Sequence, residues 1–322
     1  MGTPSSDLQS RDLIAGIAIV TLCCAVAAYF PVFGFFSFLI LPLPAMFYRI
    51  KLGRRAGAVV GMIPLAIMAA ATGGWQPDLW LMLGMIGQGF VLGECVEQHF
   101  SIEKSIAWAT ATILVAAFFL LTVMGNFAGT GGWELLSAFI RKNLEMTATV
   151  YRQLDVPAEK IRMLTESLDR IHYVLLRLLP ALMAAGLMFS AWMNLLLGRI
   201  ALRANRLPPP VFGRLNIWQA PDWLVWAVIA AGLMAFLPVE WIKFPGANAL
   251  IVLMMVYLFQ GLAIISFYFD KKQVPMVLRV MIYAIVSLQQ ILLIFVLGLG
   301  FFDTWINFRR LGLEDQAPPP ST

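Results

Sequence analysis

The sequence predicts an all-α fold: a polytopic transmembrane helical bundle of about nine spans, with an amphipathic helical hairpin outside the bilayer between spans five and six. Composition supports the bundle, because 60% of the residues are hydrophobic, only 13% are charged and the mean hydropathy is +0.81. Soluble domains average about a quarter charged residues. The hairpin is indicated by residues 133–170, the only long segment in which charge and hydrophobicity alternate at helical spacing.

Nine apolar segments approach the roughly 20 residues that a membrane-crossing helix needs. They are Leu13–Pro31, Phe33–Tyr48, Ala56–Thr72, Leu79–Val96, Ile106–Phe127, Ile171–Leu197, Asp222–Trp241, Ala247–Phe269 and Val277–Phe301. The first lacks a polar exit with a cleavage site, so we expect a retained helix and not a signal peptide. The second is short and contains Pro42 and Pro44, which predicts a kinked or re-entrant helix.

These segments divide the chain into five parts. They are residues 1–132 with the first five spans, 133–170 with the hairpin, 171–198 with the sixth span, 199–302 with a cytoplasmic Arg/Pro loop and three spans, and 303–322 as a polar tail.

The predicted hairpin consists of two amphipathic helices joined near Asp155–Pro157. Apolar residues recur in steps of three, four or seven at Leu136, Ile140, Leu144, Tyr151, Leu154, Ile161, Leu164, Leu168 and Ile171. Basic and acidic residues balance across the segment, whereas a helix that binds a membrane surface would be one-sidedly basic. We therefore expect this hairpin to face water.

Lysine and arginine in the short loops set the predicted orientation. Those after spans two, four, six and eight fall on one side together with Arg11, which places the N-terminus in the cytoplasm and the hairpin on the outer face. Nine crossings put Arg309 and Arg310 outside, so either the rule is violated there or one span, two or nine, is miscounted. The net charge of +5 is explained by topology, so no nucleic-acid partner is expected.

Small residues predict where helices pack closely, since packing replaces the hydrophobic effect in lipid. The predicted packing positions are Ala18, Thr21, Ala25, Ala28, Gly53, Gly57, Gly61, Gly89 and Gly93. The stripe on span one fits internal packing or the docking of another membrane subunit.

Four polar residues within spans are candidates for a ligand path. Gln260 lies near the middle of span eight, and Gln289 and Gln290 lie near the middle of span nine, so antiparallel neighbours would bring the three amides together at the midplane. An amide in hydrocarbon needs a partner, and interhelical hydrogen bonding is the plainer explanation. Glu94 lies at the inner end of span four, where Arg54 or Arg55 could pair with it.

Aromatic residues gather at two outer connections. Tyr29, Phe33, Trp75, Gln76 and Trp80 fit an interfacial aromatic belt, and they would line a pocket if one exists there. We expect no metal site, because neither histidine belongs to an H-E-x-x-H pattern, and no cofactor. Hydrolase, Walker and dinucleotide motifs are also absent from the sequence, so it does not indicate an enzyme.

Several stretches carry a family resemblance. They are the Leu41-Pro-Leu-Pro run, a first span that opens on Leu13-Ile-Ala-Gly, and the positions Pro210, Phe212, Trp218, Pro221, Leu224, Trp226, Gln260, Gly261, Leu262, Gly300, Asp303, Phe308 and Arg309. Together these resemble the YybS-like family of uncharacterised bacterial polytopic membrane proteins. The resemblance implies a bacterial inner-membrane location without implying an activity.

The first six spans, through Leu197, also resemble the S components of energy-coupling-factor vitamin transporters. Those components are six-helix bundles that contact the energy-coupling subunit through small residues on the first helix. In that family these small residues form an A-x-x-x-A pattern. Strict A-x-x-x-A is absent here, although Thr21/Ala25 and Cys24/Ala28 have its four-residue spacing.

Two functional hypotheses follow. In the first, the protein is a transporter-like component that binds a small molecule or lipid from the outer side and works with partner subunits. In the second, it is a non-transporting scaffold of cell-envelope assembly. A transporter predicts a partly polar pocket between the early helices, and a scaffold predicts a filled bundle with an exposed apolar stripe on the hairpin.

Overall fold

A computed structural model describes residues 6–153, 158–210 and 212–309, and the described residues are mostly helical. The helices are α1 (Ser6–Tyr29), α2 (Pro31–Ile40), α3 (Pro42–Ala71), α4 (Pro77–Glu97), α5 (Ile102–Phe127), α6 (Gly132–Gln153), α7 (Ala158–Ala204), α8 (Leu224–Phe236), α9 (Glu240–Lys271), α10 (Met276–Leu288) and α11 (Gln290–Ile306). The predicted joint at residues 155–157 and Arg310 lie outside the described residues.

The chain forms two compact units. The first unit comprises Met1–Leu176 and Gly186–Val211, and the second comprises Arg177–Ala185 and Phe212–Thr322. The long helix α7 contributes residues to both units.

In the first unit, α2 and the beginning of α3 run back along α1. Ser37 donates its hydroxyl hydrogen bond to Cys23 O (2.9 Å), and the Tyr48 ring lies against Gly16, where an added Cβ would meet it at 3.0 Å. Contacts that rise along one element and fall along the other define an antiparallel pair. Because α2 ends at Ile40 and α3 begins at Pro42, the prolines of the predicted second span lie at the α2–α3 junction.

Helix α3 folds back on itself at Gly53. This glycine has φ 82° and ψ 178°, a conformation that only glycine adopts readily. A Cβ added to Gly57 would lie 2.7 Å from the Cα of Arg49, although residues eight positions apart in a continuous helix are separated by about 12 Å. The segment thus contains two legs. Gly53 makes the turn and has no atom within 4 Å of an added Cβ, so it is not the packing contact that we predicted.

The two legs of α3 pack closely on α4 through glycines. A Cβ added to Gly61 would lie 2.7 Å from Ile86 Cγ2. One added to Gly89 would lie 2.8 Å from Ala45 Cβ, and one added to Gly93 would lie 2.7 Å from Arg49 Cγ. The core that these helices share with α1 is filled by Val20, Cys24, Leu41, Ala45, Tyr48, Val60, Leu65, Met68, Leu79, Met82, Met85, Ile86 and Leu187.

Two polar contacts join α6 to α7. Arg141 donates to Asp169 Oδ1 (2.9 Å), and the Ser137 hydroxyl lies 3.1 Å from His172 Nε2. Helix α6 also begins against α5, since an added Cβ on Gly132 would meet Leu121 O at 2.8 Å.

In the second unit, residues 212–223 form a mostly irregular segment, which we call the leg, with one short 3-10 turn at Leu215–Ile217. The leg and the short helix α8 that follows it run antiparallel to α9. Asn216 donates to Asp270 Oδ2 near the end of α9 (3.0 Å), the Ala220 N–H reaches Gln260, and Gly246 lies against Ala231 O. Prolines at Pro208–Pro210 and Pro221 remove backbone donors, so the leg before α8 cannot form a regular helix.

Helices α10 and α11 are bent by 104° at Gln289. Arg279, at the start of α10, donates to Asp270 and to Val274 O, while beyond the end of α11 Phe308 O accepts from the Tyr268 hydroxyl (2.8 Å). Both ends of the pair therefore lie at the same end of α9, which favours a re-entrant pair over a bent span. The predicted ninth span, Val277–Phe301, is broken at Gln289 and is not confirmed as a single crossing.

Among the described residues, six helices are long and apolar enough to cross a membrane, or seven if the bent pair counts as one span. The predicted nine spans are not confirmed. Spans two and three fall within one 39-residue stretch that counts once among the six, although the fold-back at Gly53 divides it into two legs. Span seven contains only the 13 residues of α8. The predicted polar tail also starts too early, because α11 continues to Ile306 and Asp303 is buried in it.

Candidate functional site

Three polar side chains form a buried cluster in the second unit, which we call the clasp: Gln260 of α9, Asp303 of α11 and Arg309. Asp303 Oδ2 accepts from Arg309 Nη2 at 2.7 Å and from Gln260 Nε2 at 3.1 Å. Neither charged side chain has any exposed surface. A buried ion pair is tolerated only when its remaining hydrogen-bonding groups also find partners.

Most of those remaining partners lie in the irregular leg before α8. Arg309 Nη1 donates to the carbonyls of Asn216 (3.0 Å) and Trp218 (2.9 Å), and Gln260 Oε1 accepts from the Ala220 N–H (3.1 Å). Arg309 Nε is buried without a hydrogen-bond partner among the described residues. Buried backbone groups outside a regular helix need partners, and the clasp supplies them for these three groups of the leg.

Local structure explains how the charged pair forms. Asn307 ends α11 in the left-handed conformation (φ 47°, ψ 61°), which turns the chain back so that Arg309 reaches Asp303. The Phe308 N–H donates to Asp303 Oδ1 at 2.9 Å. Gly261 and Gly300 let the backbones of α9 and α11 touch, since an added Cβ on Gly300 would overlap Tyr257 O.

The structure separates the three glutamines that the sequence suggested would meet. Gln260 is buried in the clasp, whereas Gln289 and Gln290 are exposed at the bend between α10 and α11. The expectation of one midplane amide cluster is therefore wrong, because the re-entrant pair does not run as a continuous antiparallel neighbour of α9.

The predicted aromatic pocket residues lie at the edge of the first unit. Tyr29, Phe33, Trp75 and Gln76 are exposed, and the rings of Trp75 and Trp80 meet edge to face at 5.1 Å. The early helices pack around the hydrophobic core described above. A ligand role for these five residues stays a prediction.

Glu94 lies in a second charged cluster. Arg54 donates to both of its carboxylate oxygens (2.6 Å at the shortest), as the sequence suggested. The buried Arg49 also binds Glu94 Oε1 (2.6 Å) and reaches Glu97 Oε2 (2.6 Å). Nearby, Lys51 pairs with Asp12, so this end of the first unit is held by ion pairs between α1, α3 and α4.

The small residues of α1 divide between two faces. Thr21 donates to Ile17 O (2.7 Å) within its own helix, and Ala25 is half-buried. Ala18 and Ala28 are exposed, so part of the stripe has no neighbour within the described chain.

A cavity of about 130 Å³ lies between α6 and α7. Its lining is Arg141, Leu144, Glu145, Leu168, Asp169 and His172. Within the described residues, no group of three His, Cys, Asp or Glu side chains is placed to hold a metal ion.

Sequence reasoning missed two structural roles. It counted Arg49 and Arg309 as orientation signals, and Arg309 also as part of the family resemblance, but it assigned neither a partner, although both are buried and paired. An available signal was Asp303, since an acid that follows an apolar stretch in a membrane protein needs a nearby cation.

Comparison with known proteins gives one family and one relative. The sequence model of the family described as "Predicted membrane protein (DUF2232)" matches residues 17–304. The chain is 22% identical over 312 residues to "Uncharacterized protein YybS" of Bacillus subtilis (strain 168), which covers 94% of this chain and 98% of that protein. No solved structure matches the chain. The YybS-like resemblance is confirmed, while these matches do not show the likeness to S components.

Proposed function

The chain belongs to the DUF2232 family of predicted membrane proteins, and we propose that it is a transporter-like component that binds a small molecule or lipid and works with partner subunits. The proposed site is the second unit around the clasp. The observation that carries this proposal is that two interrupted elements meet there.

Interrupted helices are how many transporters build a substrate site near the bilayer midplane. Here the irregular leg before α8 and the re-entrant α10–α11 pair both pack on α9, and both contribute to the clasp. The leg and the α10–α11 pair can shift relative to α9, because regular helical hydrogen bonding is interrupted in each of them. In the structure, the hydrogen bonds of the clasp hold the leg and the end of α11 against α9.

Energy for transport would come from an ion or a partner, because the sequence contains no Walker lysine loop. The exposed positions Ala18 and Ala28 of α1 support docking of an energy-coupling membrane subunit, since small faces allow close helix approach.

We place the protein in the bacterial inner membrane with its N-terminus in the cytoplasm. In the second unit, Lys271, Lys272 and Arg279 lie at the C-terminal end of α9, which the positive-inside rule assigns to the cytoplasm. Arg309 is buried against Asp303, so it does not count as a loop charge against this orientation.

The test asks whether the clasp opens to water. In a chain whose native cysteines are replaced by alanine, Ala220→Cys should react with a small hydrophilic thiosulfonate in native membranes. Val228→Cys is the matched control, since both residues are 7% exposed but Val228 packs between regular helices. Native mass spectrometry in mild detergent should find a retained ligand that slows labelling at Ala220. The proposal is contradicted if the cysteines at positions 220 and 228 are equally protected from the thiosulfonate and the preparation retains no ligand.

A second function, a scaffold of cell-envelope assembly, is favoured by α6. Phe139, Met146 and Val150 form an exposed apolar stripe. In this reading α6 and the start of α7 form a hairpin outside the bilayer that recruits a protein. Phe139→Asp with Met146→Asp should then remove defined envelope proteins from the purified complex without lowering its thermal stability, whereas a transporter should keep its composition.

A further inference from the structure

The last turns of α7 carry basic side chains that no acid of the chain neutralises. Arg199, Arg203 and Arg206, which we call the arginine row, follow one another in steps of four and three. No aspartate or glutamate occurs in the sequence between Asp169 and Asp222. Within the part of the chain that the structure describes, none of the three guanidinium groups forms an ion pair or hydrogen bond. The row is therefore a local surplus of positive charge.

Basic side chains elsewhere in the first unit are matched by acids. Lys51 pairs with Asp12 and Arg54 pairs with Glu94, although these residues too follow an apolar segment. The positive-inside rule explains why arginines occur after a span, but it does not require them to share one side of a helix without acids. An anionic group from outside the chain would neutralise the arginine row.

The arginine row is built on a packed helix and not on a free loop. Arg199 is half-buried, and its Nε is buried without a partner among the described residues. At the preceding position, a Cβ added to Gly198 would overlap the terminal methyl of Met46, so this turn of α7 lies in close contact with α3. Arg206 follows the helix in the left-handed conformation (φ 58°), and its N–H donates to Arg203 O (3.1 Å). A fixed backbone lowers the ordering cost of binding an anion here.

Apolar side chains precede the arginine row on the same side of α7. Trp192, Leu196, Arg199 and Arg203 are spaced in steps of four, three and four, which places them along one side of the helix. Trp192 and Leu196 are half-buried, so each keeps apolar surface uncovered by the chain. A phospholipid matches this order, because its acyl chain lies in the hydrocarbon and its phosphate lies at the surface. A soluble phosphate compound has no group for the apolar part.

We propose that the arginine row binds the phosphate of an anionic phospholipid, with an acyl chain along Trp192 and Leu196. Guanidinium groups bind phosphate through charge-assisted, often bidentate hydrogen bonds. Arg199 supplies the contact nearest the hydrocarbon, and Arg203 and Arg206 supply the charge that favours an anionic over a zwitterionic headgroup. This site belongs to the first unit, whereas the clasp belongs to the second, so it goes beyond the proposed transport site.

The first test removes two charges from the arginine row. The full chain in mild detergent is titrated with phosphatidylglycerol, and native mass spectrometry counts the bound lipid. Arg199→Gln with Arg203→Gln should raise the dissociation constant about tenfold or more, since charge-assisted contacts are lost. Lys271→Gln with Lys272→Gln is the matched control, because it removes two exposed charges at the end of α9 and should leave the constant unchanged. Equal weakening by both double variants, or no weakening by the first, would overturn the proposal.

The second test identifies the chemistry of the ligand. Phosphatidylcholine has the same phosphate but carries a compensating cation, so it should bind about tenfold more weakly or less tightly still. Glycerol phosphate has the charge without acyl chains and should not displace phosphatidylglycerol. Arg199→Lys keeps the charge but loses the planar fork, so its affinity should fall between the wild type and the double variant. Equal binding of phosphatidylcholine, or displacement by glycerol phosphate, would refute an anionic phospholipid as the ligand. Labelling of Ala220→Cys is measured independently, so the lipid site and the proposed transport function can fail separately.

Discussion

Replacing a buried and an exposed glutamine by the same apolar residue tests the clasp directly. Gln260→Leu removes the amide that joins Asp303 to the backbone of Ala220, and Gln289→Leu removes an exposed amide at the bend of the re-entrant pair. The two variants change the same chemistry. Only their surroundings differ.

The expected loss for Gln260→Leu is about 2–4 kcal/mol of unfolding free energy. Each lost hydrogen bond contributes about 1 kcal/mol net, and a buried donor left without a partner adds about 1–3 kcal/mol. The Ala220 N–H is such a donor, because its residue is 7% exposed. For Gln289→Leu we expect a change within about 0.5 kcal/mol, as for most exposed substitutions.

Reversible unfolding by a denaturing detergent in mixed micelles, followed by tryptophan fluorescence, measures both changes. The protein is kept dilute so that association does not contribute. A loss below about 0.5 kcal/mol for Gln260→Leu, or equal losses for the two variants, would refute the reasoning that the clasp holds the irregular leg in place.

Three further predictions concern the clasp, the re-entrant pair and the fold-back of α3. Arg309→Met should cost about 3–5 kcal/mol by leaving the Asp303 carboxylate buried without its cation, and adding Asp303→Leu should recover part of that loss; a double variant as unstable as the sum of the singles would contradict the pairing. Lys272→Cys and Ile306→Cys should react with an impermeant reagent from the same side of the membrane, and reaction from opposite sides would restore a ninth crossing. Gly57→Leu should lower the free energy of unfolding by about 2 kcal/mol or more, since its side chain would enter the neighbouring leg of α3; an unchanged free energy of unfolding would show that the legs do not touch.

Much of the first unit could be predicted from residue types. The glycine repeat at Gly57 and Gly61 has the spacing that close helix packing requires, and the pairing of Arg54 with Glu94 follows from their shared depth. The fold-back at Gly53 was less visible, because a glycine at this spacing looks the same whether it packs or turns.

The clasp could be predicted only in part. Gln260 and Asp303 were recognisable as polar residues that need partners. However, Gln260 also accepts from the Ala220 amide and Arg309 donates to the leg carbonyls, and these backbone groups carry no side-chain signal. The same limit applies to Gln289, since period and hydropathy do not distinguish a crossing helix from one that bends and returns.

The amino-acid sequence alone determined that this is a helical membrane protein, because the free energy of placing long apolar segments in lipid depends on composition and not on neighbours. Tertiary structure decided where α3 folds back, where the α10–α11 pair bends, and that Asp303 and Arg309 share one buried site. These features depend on which backbone groups find partners once the helices meet, and lipid enforces that requirement only in the assembled fold.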